Sequence, residues 1–176
     1  MGAIYDGEWR YDMQHGQGTE KWINTDSVFT GEFVDGLRNG QGKWVHKNKR
    51  YEGSWKNNMM DGHGVMEWGH VNQQQAATAR SSLKETAANI TRRNNTQVML
   101  EGASQTMLLN PLGNVNEKGI YMGHWQANKM DGFGIFKWAT GRLYVGEWTA
   151  DNKDGVGILS FKGGNEYAGE FVGDKR

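Results

Sequence analysis

Apolar and polar residues alternate along short stretches of this chain with a period of two. In Tyr5-Asp6-Gly7-Glu8-Trp9, aromatic residues and glycine occupy the odd positions, and acidic residues occupy the even positions. Successive side chains of a β-strand point to opposite faces, so the aromatic residues and the glycine share one face. The alternation therefore predicts β-strands with an aromatic face and a mostly polar face.

The aromatic-x-Gly-x-aromatic segment recurs along the chain. It begins at Tyr5, Phe29, Tyr51, Tyr121, Tyr144 and Tyr167. Four of the five intervals are 22–24 residues long, and the fifth is 70 residues. A Gly-x-Gly pair follows 11 and 13 residues after the first aromatic residue in the first five units. Because a fixed period of this length marks repeat architectures, we expect an array of similar units.

Each unit is predicted to form a β-hairpin. A second β-prone run follows the glycine pair, as in Ile135-Phe136-Lys137-Trp138. Asn, Asp, Lys and Gly lie between the two runs, and these residues favour tight turns. One hairpin cannot bury its aromatic face, so successive hairpins are expected to stack. We expect the glycine between two aromatic residues to leave room for a ring from the neighbouring hairpin.

These residues resemble the MORN repeat (membrane occupation and recognition nexus), which begins Tyr-x-Gly-x-Trp and continues with Gly-x-Gly and a hydrophobic strand. The resemblance covers roughly residues 5–68 and 121–173. It implies an all-β fold, an elongated single-layer antiparallel sheet of tandem β-hairpins with a groove along one face. The sixth unit is a half repeat, since it ends soon after its first strand.

Composition divides the chain into three parts. Residues 1–68 hold repeats 1–3, residues 69–120 form an insertion, and residues 121–176 hold repeats 4–5 and the half repeat. The insertion has no tryptophan and only four of the 26 glycines, so it is not another repeat.

The insertion is predicted to be partly helical. Helix-forming residues fill the segment from about 76 to 93, and Ala79, Leu83, Ala87 and Ile90 share one helical face. A short hairpin is predicted after this helix. A helix of this length is marginal alone, so we expect the apolar face to dock, either on the sheet or on a partner. A merely tolerated surface loop is the alternative.

Charge and composition exclude several classes of protein. Twenty basic residues balance twenty acidic residues, which gives no general attraction to nucleic acid and only weak attraction to membrane lipid. The absence of cysteine excludes disulfides and thiolate chemistry. Eight tryptophans are not typical of a disordered chain.

No motif in the sequence indicates catalysis or a bound cofactor. The five histidines form no His-Glu-x-x-His motif, and we interpret them as exposed or turn residues. The glycine pairs never continue as Gly-x-Gly-x-x-Gly or as a phosphate-binding loop. We therefore expect a protein that is not an enzyme, with no catalytic residue, no metal site and no cofactor.

The aromatic face is the predicted contact surface for protein partners, because tryptophan and tyrosine anchor many interfaces. The candidate contact residues are Tyr5, Trp9, Trp22, Tyr51, Trp55, Trp68, Tyr121, Trp125, Trp138, Tyr144 and Trp148. Tyr167 and Phe171 form a candidate terminal edge, where the resemblance implies a possible homodimer.

The resemblance also implies a function. MORN proteins act as radial spoke head subunits and cytoskeletal adaptors, so we expect a cytoplasmic scaffold that binds other subunits of a cytoskeletal or ciliary (axonemal) assembly. Two alternatives stay open. One is a phospholipid-binding module that tethers membranes, and the other is a structural subunit of another large organellar complex.

Overall fold

The computed structural model describes residues 2–69, 81, 83, 85 and 119–176. These residues form a single antiparallel sheet in which each strand pairs with the next strand in chain order. This confirms the predicted all-β array of hairpins. The strands are β1 (Ala3–Arg10), β2 (Met13–Trp22), β3 (Ser27–Val34), β4 (Leu37–His46), β5 (Lys49–Lys56), β6 (Met59–Trp68), β7 (Gly119–Gln126), β8 (Lys129–Trp138), β9 (Leu143–Thr149), β10 (Asn152–Ser160) and β11 (Glu166–Phe171).

Two-residue turns close the hairpins, and both turn residues have positive φ. Asn57 and Asn58, for example, have φ of 49° and 68°. This is the conformation of a type I′ turn, whose twist matches that of the strands it joins. The described turns lie at 11–12, 35–36, 57–58, 127–128, 150–151 and 173–174.

The second turn residue fastens each hairpin to the preceding one. Asn128 donates its N–H to the carbonyl of Met60 at 3.0 Å, and its Oδ1 accepts the N–H of Met60 at 2.8 Å. Asp151 makes the same pair of hydrogen bonds with Met130, at 2.9 and 2.8 Å. Gly36 occupies this position in the second unit and keeps only the backbone bond. Asn and Asp thus tolerate positive φ and also link neighbouring repeats.

A row of glycines, one on each described strand, crosses the sheet at right angles to the strands. We call it the glycine row, and each member lies opposite the next in the strand register. Its members are Gly7, Gly18, Gly31, Gly42, Gly53, Gly64, Gly123, Gly134, Gly146, Gly157 and Gly169.

The glycine row gives space to an aromatic ring of the same hairpin. A Cβ added at Gly134 would lie 2.5 Å from Cε2 and Cζ of Tyr121, and one at Gly123 would lie 2.5 Å from the Tyr121 hydroxyl. The expectation that the ring comes from the neighbouring hairpin was therefore wrong. The reason is that Tyr121 lies along its own strand, over its own glycine and the glycine paired with it.

The two faces of the sheet differ along its length. The face opposite the glycine row is polar near the N-terminus, where the hydroxyls of Thr19 and Thr30 lie 3.1 Å apart. Over β6–β9 part of it is apolar, so the predicted polar face does not extend unbroken along the array. A packed cluster there, which we call the insertion patch, contains Leu83, Ile120, Ile135 and Val145, flanked by Val65, Met122 and Leu143.

The insertion contacts the sheet through Leu83. This residue has helical backbone conformation, and 1% of its surface is exposed. Ser81 and Glu85 are also helical, and both are exposed. The apolar docking face thus contacts its own sheet at Leu83. Its other members (Ala79, Ala87 and Ile90), the rest of the predicted helix and the predicted hairpin lie outside the described residues.

We predict that Gly134→Ala destabilises the protein by about 3 kcal/mol or more, because the new methyl group collides with the ring of Tyr121. Gly163→Ala is the matched control, since no atom lies within 4 Å of a Cβ added there. Urea unfolding measures both free energies of unfolding. Equal free energies for the two variants would contradict the proposed role of the glycine row.

We predict that Leu83→Ala lowers the free energy of unfolding by about 2–4 kcal/mol, because it leaves a cavity against the insertion patch. The control is Ser81→Ala, which alters an exposed residue of the same segment and is expected to change stability by less than about 0.5 kcal/mol. Thermal unfolding of both variants tests this. An unchanged stability in Leu83→Ala would show that the contact contributes nothing.

Candidate functional site

A continuous file of aromatic rings runs across the sheet on the side of the glycine row. Within the described residues it contains twelve rings, and adjacent rings meet edge to face at centroid distances of 5.0–5.5 Å. Each such contact stabilises by about 0.5–1.5 kcal/mol beyond burial. In order, the aromatic file is Trp9, Tyr5, Phe33, Phe29, Trp55, Tyr51, Trp125, Tyr121, Trp148, Tyr144, Phe171 and Tyr167.

The polar atoms of these rings are bonded within the sheet. The hydroxyl of Tyr51 donates to the carbonyl of Ser54 at 2.9 Å, three residues along its own strand. The indole N–H of Trp55 donates to the carbonyl of Gly42 in the preceding unit at 3.2 Å. The tyrosine hydroxyl thus holds the ring to its own strand, and the tryptophan links one repeat to the previous one.

Many of the predicted contact residues are buried because they pack in or against the aromatic file. Tyr51, Tyr121 and Tyr144 have no exposed surface, and at most 6% of Trp55, Trp125, Trp138 and Trp148 is exposed. The predicted residues with accessible surface are Tyr5, Trp9, Trp22 and Trp68, of which Trp9 is 60% exposed. At the terminal edge, Tyr167 is half-buried and Phe171 is buried. The buried rings hold repeat to repeat, so the accessible aromatic surface belongs mainly to the other residues of the set.

A second set of aromatic residues lies at the ends of the second strands, next to the aromatic file. We call it the closing row: Trp22, Trp44, Trp68, Trp138 and Phe161. Trp138 is buried, whereas the other four are half-buried and pack against the core. The half-buried members provide the broader aromatic surface that a partner can reach. Trp44 and Phe161 were absent from the predicted site, although each lies in the second β-prone run of its repeat or directly after it.

Basic side chains lie over the rings on this face. The guanidinium carbon of Arg38 lies 5.0 Å from the ring centroid of Trp55 and 5.2 Å from that of Trp22. Burial lowers the pKa of Arg38, and the charge of Glu20 opposes this effect. The ammonium of Lys153 lies 5.6 Å from the Trp148 centroid. Such cation–π contacts become stronger as water is excluded.

The sequence analysis missed these cations, although the repeat contains a signal for them. Arg38 and Lys153 each lie two residues before the first glycine of a Gly-x-Gly pair. The equivalent residues in the third and fourth units are Met60 and Met130, which pack on the same core. Alignment of the units would have shown one column in which the second to fifth units carry either a basic residue or methionine, and the first carries Gln14.

Arg142 combines a cation with an unpaired donor. Its guanidinium carbon lies 4.8 Å from the ring centroid of Trp138 and 5.9 Å from that of Phe161. Its Nε is buried and has no hydrogen-bond partner among the described residues. A second guanidinium, that of Arg176, lies 5.7 Å from Phe161 on the same face. This end of the closing row is therefore aromatic and positively charged.

Two general features are absent from the described residues, a cluster of three or more potential metal ligands and a membrane-spanning helix. No group of three or more His, Asp and Glu residues is arranged to hold a metal ion in the ranges 2–69 and 119–176 or at 81, 83 and 85. Nor does the described part of the chain contain a helix that is long and apolar enough to cross a membrane.

Comparison with known families identifies the repeat. A model of the MORN repeat matches residues 5–27, 29–49, 51–69, 121–141 and 144–166, which together make up more than half of the chain. Each matched segment begins at a ring of the aromatic file. No curated protein is similar enough to the chain to count as a match.

We predict that the fold weakens at alkaline pH. Burial, reinforced by nearby carboxylates, raises the pKa of Tyr51, Tyr121 and Tyr144 above the ordinary value of 10.0. The unfolded chain ionises these tyrosines near pH 10, before the folded chain does. Their contribution to stability is therefore complete below about pH 10 and declines as the pH rises towards the raised pKa.

Thermal unfolding from pH 8 upward, followed together with tyrosinate absorbance, tests this. We expect the unfolding temperature to decrease above about pH 10. Three of the six tyrosines are expected to ionise only when the protein unfolds. Ionisation of all six near pH 10 in a chain that keeps its folded circular dichroism would contradict the prediction.

Proposed function

This chain belongs to the MORN-repeat family, and from that premise we propose that it is a non-enzymatic scaffold that binds an acidic segment of another protein along its aromatic face. The MORN repeat is a non-catalytic module, and membership is consistent with binding either proteins or lipids. The observation that carries the proposal is the closing row, in which half-buried aromatic rings lie beside guanidinium groups.

The closing row has the properties of a binding surface. Its half-buried members, such as Trp22 and Trp68, keep accessible ring surface while the aromatic file fixes their positions. Tryptophan is among the residues most often found at the energetic centre of protein interfaces. A surface that is already ordered loses little conformational entropy on binding, which favours affinity.

The basic residues favour an acidic partner. Lys153 already forms an ion pair with Asp174, and Arg38 lies near Glu20, so both of these cations have an acid nearby. Arg142 is half-buried and forms no ion pair with another described residue. A carboxylate at the edge of a guanidinium forms two parallel charge-assisted hydrogen bonds. Aspartate or glutamate in the bound segment supplies this group.

We further propose that the scaffold works inside a cytoskeletal or ciliary assembly with other protein subunits. The family resemblance supports this setting, including the likeness to radial spoke subunits. The same holds for a homodimer through β11, with Tyr167 and Phe171 at its edge.

We predict that Arg142→Glu weakens partner binding by about tenfold or more, because it places an acid where the acidic segment binds. Lys21→Glu is the matched control, since it makes the same charge change at an exposed residue on the opposite face. Proteins are isolated from the native cells with each variant, the contact peptide is identified by crosslinking, and its synthetic form is titrated. Should Arg142→Glu not fold, Arg142→Gln takes its place.

Two outcomes would overturn the proposal. One is that both variants bind the peptide equally, and the other is that the crosslinked segment contains no acidic residues. Vesicles of phosphatidylcholine with and without phosphatidylserine provide the lipid arm of the test. Co-sedimentation that requires phosphatidylserine and is lost in Arg142→Glu, with no protein partner captured, would favour the lipid-binding alternative.

A further inference from the structure

Two histidines face each other on the side of the sheet opposite the aromatic file. His63 on β6 and His124 on β7 are cross-strand partners. Their ring centroids are 5.5 Å apart, and the rings are inclined at 87°. With metal–nitrogen bonds of about 2.0–2.1 Å, two imidazoles on one tetrahedral ion have centroids about 5 Å apart. The separation of the ring centres therefore matches that of two imidazoles bound to one ion.

The hydrogen bonding of His124 leaves one ring nitrogen available for a metal. Its Nδ1 lies 3.2 Å from the backbone carbonyl of Asp131. A carbonyl oxygen only accepts, so Nδ1 carries the proton and donates it. In the neutral ring the lone pair is then on Nε2, and metal-binding histidines commonly make such a bond from the other nitrogen. His63 is exposed, so an ion has access from solvent.

The position of His124 has a different role in other units. Glu8 is the equivalent residue in the first unit, and its Oε1 accepts the backbone N–H of Gln17 at 2.8 Å. Glu32 makes the same bond to Gln41 at 3.0 Å in the second unit. His124 bonds to the carbonyl of Asp131 instead. The first two units thus have a glutamate that supports the hairpin at this position, and the fourth unit has a potential metal ligand there.

We propose that His63 and His124 form a site for a divalent transition-metal ion of the zinc or copper class, which imidazole ligands favour. His124 binds through Nε2 and His63 through a ring nitrogen. No third His, Asp or Glu completes the site among the described residues, so water or a side chain of a partner fills the remaining positions. The sequence-based expectation of no metal site overlooked this pair because 61 residues separate the two histidines.

The site lies where the array is interrupted. β6 and β7 are neighbours in the sheet, yet the insertion separates them in the chain. An ion bound to His63 and His124 would join repeats 3 and 4 directly and close the long connection between them. A ligand that binds only the folded chain stabilises it by mass action. The ion would thus act as a clip that strengthens the junction between the two parts of the array.

The test is a titration of the full chain with zinc chloride and, separately, copper chloride, followed by calorimetry and thermal unfolding. We expect one ion per chain and a higher unfolding temperature with metal. His63→Phe keeps a ring against His124 but removes the ligand atoms, so it is expected to weaken binding by about tenfold or more. Its unfolding temperature in chelator is expected to match that of the native chain.

His46→Phe is the matched control, since it removes a histidine on the face of the aromatic file and is expected to leave metal affinity unchanged. Binding that is equally strong in the native chain and in His63→Phe would overturn the proposal, as would the absence of binding. Equal loss in both variants would indicate an adventitious ion only. Electron paramagnetic resonance of the copper-loaded chain is expected to show two nitrogen ligands, and a spectrum with one nitrogen would also contradict the site.

Discussion

The packing of a tyrosine ring over two paired glycines is the interaction on which the other contacts of this sheet depend. The ring of Tyr121 lies over Gly123 and Gly134, and its hydroxyl donates to the carbonyl of His124 on the same strand. A ring held flat in this way presents an edge and a face to the tryptophans on either side. Those tryptophans, Trp125 and Trp148, continue the aromatic file. Their indole N–H groups donate to the carbonyls of Gly64 and Gly134 on the preceding strand. The spacing between repeats is thus set by the conformation of the tyrosine side chain, and this conformation requires glycine at both positions beneath the ring.

This constraint also explains which positions of the sheet differ from one repeat to the next. The inner part of the aromatic face is occupied by the file, so variation there is confined to the closing row and to the column that contains Arg38 and Lys153. The opposite face carries no such file of packed rings, and its composition differs from unit to unit. It is polar near Thr19, apolar beneath Leu83, and it bears two facing histidines at the junction of the third and fourth units.

Much of the fold could be predicted from the sequence because a strand period of two and a recurring glycine pair encode hairpins and their inner face. The position of the tyrosine ring could not, since a side-chain rotamer leaves no mark on residue spacing. The half-buried closing row was only partly identified, because exposure depends on how the next repeat packs. The basic residues over the rings and the His63–His124 pair were missed because register across strands, and not distance along the chain, brings their atoms together.

The strand order has a consequence for how the chain folds. Every described strand pairs with its neighbour in sequence, and most of these pairs are joined by a few residues, so their loops close rapidly. The pairing of β6 with β7 is different, because the chain between Trp68 and Gly119 must first bring its ends together. The β6–β7 pair is therefore expected to form later than the pairs within each hairpin, and the folded sheet hides this difference because its register there is as regular as elsewhere.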